Sequence, residues 1–272
     1  MTFHGLELQL RRVTGLYRKV DLAYPSNRLA VIVSIIATLL VTVITRDLSI
    51  AFLTGATTFS AWALGRELDP DRPRTANLSA ITVGLVLNVL AINGRLNLQE
   101  VLLGAIITGS MMVTARVMTR STGLAATTLD AVALLAVALG SGLVDPRVAV
   151  VLVAVATLGI MLDRALEHHP YLANWSWFGF ALFALSALSF LLASGTWLAL
   201  TGIMFVVGTL NIVLATKFIP NSRSDLGTRL EPSRLVVATV LVFLAAMGMA
   251  QGLPIAIIGL LAVGLWRLWL HS

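Results

Sequence analysis

Three carboxylates stand two residues apart in RELDPDRPRTAN (66–77): Glu67, Asp69 and Asp71, interleaved with Arg66, Arg72 and Arg74. Carboxylates at that density suit Mg²⁺, which binds through one or two of them plus waters and reaches substrate phosphates. Arg72 and Arg74 add the bidentate donors a phosphate accepts. A second acidic pair, Asp163 and Glu167, is four residues apart and so falls on one helix face; His168 and His169 follow it. Two adjacent histidines make a poor metal site, because their rings diverge on a helix. Residues 66–74 also have a plainer reading. Their charges balance, three of each sign, as in a mixed-charge loop that solvates two helix ends.

Asp130, in TTLDAVALL, offers different chemistry. It is the acidic residue that hydropathy places well inside an apolar run, near mid-depth. An ionisable group there costs at least about 2.5–3.5 kcal/mol on insertion scales, which makes it a candidate proton carrier or cation ligand. The structural alternative is a neutral aspartate bonded to a neighbouring helix, with Thr127 or Thr128 involved. Asn88 and Asn211 are amides in other apolar runs. Thr54, Thr57, Thr58, Ser60, Thr108, Ser110 and Thr114 mark two more. Singly these are packing glue between helices; together they outline a polar-lined path. Asp130, Asn88 and Asn211 are the transport candidates.

The elements that must position these groups are membrane helices. The chain has 272 residues, 58% of them hydrophobic and only 12% charged, with a mean hydropathy of +0.92. A soluble domain carries about twice that charge fraction, so the expected class is all-α, a polytopic membrane bundle whose first partner is the lipid bilayer. Apolar runs fall at 29–45, 48–64, 76–92, 98–117, 123–143, 147–165, 173–193, 196–217, 235–251 and 254–270, about the length that crosses a hydrocarbon core of about 30 Å. Breakers such as Asp69-Pro70, Asn93-Gly94 and Asp145-Pro146 separate them. With both ends of the chain cytoplasmic, sixteen of the 19 basic residues fall on the cytoplasmic side, which supports this orientation and an even number of spans.

Residues 1–28 form a polar lead in which Leu6, Leu10, Val13, Tyr17 and Val20 step by four and three, the stripe of an interfacial amphipathic helix. The lead is too long for an ordinary signal-peptide n-region. Residues 29–272 read as a single transmembrane domain. RLAVIVSIIATLL (28–40) and RVAVVLVAVATLG (147–159) suggest two inverted halves, 28–146 and 147–272. Trp175 and Trp177, with His168, His169 and Tyr171, read as an interfacial aromatic belt; Trp266 and Trp269 with Arg267 read as an anchor for the last run.

The stretch 66–77 resembles the aspartate-rich cytoplasmic loop of the UbiA-type membrane prenyltransferases, which also carry a second acidic motif after the sixth helix. The resemblance implies Mg²⁺ and a prenyl diphosphate held between the two clusters. It covers about a dozen residues and the general layout. Ala61, Trp62 and Gly65 stand where the family's leading Asn-Asp and next Asp belong, and only Asp69 matches a family aspartate. In size and layout the chain also resembles ten-helix drug/metabolite-type exporters.

Without cysteine, thiolate metal sites, disulfides and cysteine nucleophiles are excluded. No GxSxG, Walker A, GxGxxG, HExxH or EF-hand pattern occurs. The net charge of +6 follows from the loop bias and needs no nucleic acid. The leading expectation is a transporter for a small solute or lipid-like metabolite in the inner membrane of a prokaryote, coupled to protons or cations through Asp130. The alternatives are a Mg²⁺-dependent enzyme acting on a prenyl-diphosphate or phospholipid-like substrate at the cytoplasmic face, and a scaffold subunit with no substrate.

Overall fold

In a computed structural model the chain is described over residues 13–18, 20–168, 197–217, 219–249 and 255–271. The helices there are α1 (Pro25–Thr45), α2 (Leu48–Leu68), α3 (Pro73–Ile92), α4 (Leu98–Thr119), α5 (Thr128–Gly140), α6 (Pro146–His168), α7 (Trp197–Lys217), α8 (Pro232–Met249) and α9 (Ile258–His271). Among the described residues there is no strand, only an isolated bridge between Arg223 and Arg229. Six helices, α1–α4, α6 and α8, are long and apolar enough to cross a membrane. The stretches Thr128–Leu143, Gly202–Lys217 and Ile258–His271 are apolar but shorter. The run expected at 173–193 and the aromatic belt at 169–177 lie outside the described residues.

Packing sorts the helices into a centre and a rim. α8 touches α4, α6 and α7, while α4 also packs on α2. In α8, 78% of the apolar window is buried; in α1 the figure is 17%, so α1 offers Ile32, Ile35, Leu39 and Val43 to lipid. The main core gathers Leu64, Leu103, Ile107, Met111, Leu152, Met204, Leu241, Phe243 and Leu260 from six helices. Close helix approach needs small residues, as membrane packing generally does. At Gly65 an added Cβ would lie 2.8 Å from the Ala76 Cα, so α2 and α3 meet backbone to backbone just below their turn.

The charged segments converge on one end of the bundle. Asp71 accepts from the Asn221 and Ser222 amides, each at 2.7 Å, and from the Ser222 hydroxyl. The Asp225 amide donates to the Ser121 carbonyl. Trp62 donates to Ser26, and Ser26 to Asn77, tying the start of α1 to the same end. The loop 219–231 is thereby built onto the ends of α2 and α4.

Three expectations change. Helix α5 begins at Thr128 rather than near 123, because Thr127 and Asp130 form a capping box. Reciprocal side-chain-to-backbone bonds of this kind start a helix where hydropathy alone would extend it. Residues 14–18 and 20–24 are turns and irregular chain, so the amphipathic stripe does not continue as a helix past Val13; residues 1–12 lie outside the described residues. Arg267 is not an interfacial anchor. It is fully buried and donates to Thr239, while Trp266 reaches Thr82 on α3.

Candidate functional site

The acidic residues of 66–71 do not converge. Glu67, fully buried, faces α4 and accepts from Arg116 at 2.8 Å and Thr119 at 3.2 Å, with Arg18 at 3.5 Å. Asp69 closes the α2–α3 turn, accepting from Thr75 and lying 3.2 Å from the His271 ring. Asp71 holds the 221–222 loop. Arg72 and Arg74 start α3, half-buried and exposed. Asp163 and Glu167 are engaged by arginine: Arg120 bonds both, and Arg234 bonds Asp163 from inside the bundle. Arg120 ends α4 in the left-handed region, which turns its side chain toward α6. Burial disfavours its charge, but the bonds to Asp163 and Glu167 outweigh burial and hold the guanidinium above its ordinary pKa. Among the described residues no three metal-binding side chains form a group.

The transport candidates are also separated. Asp130 sits at the third position of α5, not at mid-helix. It accepts from the Thr127 amide at 2.8 Å, the Gly15 amide at 2.9 Å, and the Thr127 and Thr14 hydroxyls. Asn88 bonds its own helix at Gly84. Asn211 donates to Val207 and, across to α9, to Gly264. Thr54, Thr57 and Thr58 bond carbonyls one turn back in α2, which removes them from a polar path.

What the fold assembles instead is a cavity of about 400 Å³ at the charged end, lined by three arginines, Arg18, Arg66 and Arg116. That volume is typical of small-molecule sites. α2 supplies Arg66 and Trp62, one turn apart on one face; α4 supplies Arg116; the irregular strap at residues 13–18 supplies Arg18. Two of these cations are already matched. Arg18 pairs with Asp225 at 3.1 Å and lies near Glu67, while Arg116 pairs with Glu67. Asp21 also lines the wall, its Oδ1 accepting the Ala23 amide, so the lining sets Arg18, Arg66 and Arg116 against the carboxylates of Asp21 and Asp225. Arg66 has no carboxylate within ion-pair distance among the described residues. Its guanidinium lies 5.9 Å from the Trp62 ring centroid, a cation–π contact that leaves its donors for a ligand.

The strap is bonded to the helices around it. Besides the two bonds to Asp130, Gly15 accepts from Thr122 at 2.6 Å and Leu16 from Arg116 at 3.3 Å. Gly15 lies so close to the Ala125 carbonyl that a Cβ would overlap it. Sequence reasoning counted Arg18, Arg66 and Arg116 only as topological charges. The four-residue spacing of Trp62 and Arg66 was the available signal, since it puts ring and cation on one helix face.

Among the described residues, fold and site thus define a class and no more: an all-helical bundle with helices apolar enough to cross a membrane and an arginine-lined cavity at one end. Comparison with protein-family models, curated proteins and solved structures found no match.

Proposed function

We propose that the chain is an integral membrane carrier for a small anionic or lipid-like metabolite, which it binds in the cavity of Arg18, Arg66 and Arg116. In this reading it has ten spans, the charged end faces the cytoplasm, and the host membrane is the inner membrane of a prokaryote. The basic bias of the loops supports that orientation. The observation that carries the reading is Arg66, a cation beside an aromatic ring in a cavity of ligand size, with no carboxylate at ion-pair distance among the described residues. A charged donor left so attracts an anion, and bonds to charged groups are the stronger ones. The carrier reading gains over the enzyme because the carboxylates that Mg²⁺ would require are spent on Arg116, Thr75, His271 and the 221–222 loop. Asp130 then acts through the strap it holds, keeping Arg18 at the cavity.

Calorimetric titration of the detergent-purified protein with pyrophosphate tests the reading. Wild type should bind and Arg66→Ala should bind at least tenfold more weakly, since losing charge-assisted bonds removes about 1.5–3 kcal/mol. Equal affinity of the two proteins would place the anion elsewhere.

A further inference from the structure

The basic cavity has a neighbour. A groove of about 470 Å³ runs between α4 and α5, lined by Ala105, Ile106, Gly109, Val113, Leu134 and Val137. Its walls are apolar except near the strap end, where Arg116 and Asp130 enter, and at Ser110 part-way along. The two spaces share Met112 and Arg116. Arg116 therefore stands between a compartment lined by charged groups and one rich in methyl groups.

From Ala105 to Arg116 the groove follows α4 for about 16 Å at the helical rise. That is about half of a hydrocarbon core of about 30 Å, the depth of one leaflet. The α5 wall belongs to the lipid-facing rim: Leu129, Val132 and Val137 around it are exposed. An occupant of the groove is thus reached from the bilayer, and its far end points toward mid-membrane.

We propose that the ligand is a single-chain anionic amphiphile, its phosphate-type head beside Arg66 and Arg116 and its alkyl chain in the α4–α5 groove. The inference rests on the carrier reading above and narrows its substrate class. Charge complementarity selects the head: among the described residues Arg66 has no carboxylate at ion-pair distance, and Arg116 spends its Nε on Glu67 while Nη1 reaches a carbonyl at 3.3 Å. The groove selects the tail, because an apolar channel one leaflet deep suits an acyl or prenyl chain and offers little to a sugar or an amino acid.

The test is an affinity series on the full chain in detergent: pyrophosphate, then butyl, hexyl and octyl phosphate, all kept below their micelle concentrations. Affinity of the wild type should rise by up to about fourfold per added methylene, the transfer free energy of a buried methylene. Gly109→Leu and Ala133→Trp place bulk in the groove and should abolish that rise. Ala133 is exposed on α5 and a Cβ at Gly109 meets only Ser60 at 3.8 Å, so both proteins should fold. Val89→Trp, on the lipid face of α3, should keep the rise. Pyrophosphate binding with no chain-length gain would overturn this inference and leave the carrier reading standing. The same gain in all four proteins would mean partition into detergent and overturn it as well. Failure of wild type to bind any of the phosphates would overturn both.

Discussion

At the residue scale, the charged end is defined by which charges have partners. Asp163 is a buried, partnered acid at the charged end, 4% exposed and held by Arg120 and Arg234, itself 5% exposed. Breaking a buried pair leaves its partner uncompensated, which destabilises by about 3–5 kcal/mol. Asp163→Asn should therefore lower the unfolding midpoint in detergent sharply, while Arg66→Ala, whose loss orphans no carboxylate among the described residues, should leave it nearly unchanged. A second prediction concerns metal. Because Glu67, Asp69 and Asp71 face three different partners, millimolar Mg²⁺ should not raise the melting temperature; a ligand bound only by the native state would raise it. The acids were legible in the sequence because their density is local. Their partners were not, since Arg116, His271 and Ser222 are 49, 202 and 151 residues distant from the acids they meet.

At the scale of the element, the strap at residues 13–18 is the decisive piece. It is short and irregular, and it is held by side chains of the α4–α5 connection and the first turn of α5. Gly15→Val should dislodge it, because the space its Cβ needs is taken by the Ala125 carbonyl. Asp130→Ala should have the same effect and also remove the reciprocal half of the capping box, the bond from the Thr127 amide. Asp130→Asn should be milder: its one carbonyl oxygen still accepts from the Gly15 and Thr127 amides, and Thr14 can reverse its hydroxyl. Hydrogen exchange at the Gly15 amide reads all three, with the order Val and Ala fast, Asn intermediate, wild type slow. Equal protection in wild type and Asp130→Ala would show that the aspartate does not hold the strap. Helix positions were largely legible, since apolar runs of membrane length are the strongest pattern a chain carries. The start of α5 was not read correctly because hydropathy ran through the T-x-x-D signal at Thr127 and Asp130, and that signal alone moves the acid from mid-helix to the first turn. The 14–18 turns were hidden by the opposite error: a helical stripe of apolar residues formed where side chains from elsewhere take up the backbone bonds.

The whole molecule is asymmetric, with basic and acidic segments bonded together at one end of an apolar bundle. The bonds among 66–74, 116–130, 163–167 and 219–234 were not visible in the sequence, but their common side was, through the counting of lysine and arginine between runs. Reporters fused at Thr75, Arg120 and Ser222 should accordingly report the cytoplasm, and one at Asn93 the opposite side; a cytoplasmic signal at Asn93 would break the orientation. The central claim is that the basic cavity serves a carrier. It is tested most directly in proteoliposomes whose inner leaflet holds a fluorescently tagged dodecyl phosphate, with a membrane-impermeant quencher outside. Wild type should speed the appearance of the probe in the outer leaflet well above the protein-free rate, and Arg66→Ala should fall back toward that rate. Wild-type exchange no faster than in empty vesicles, or Arg66→Ala exchange as fast as wild type, would contradict the account.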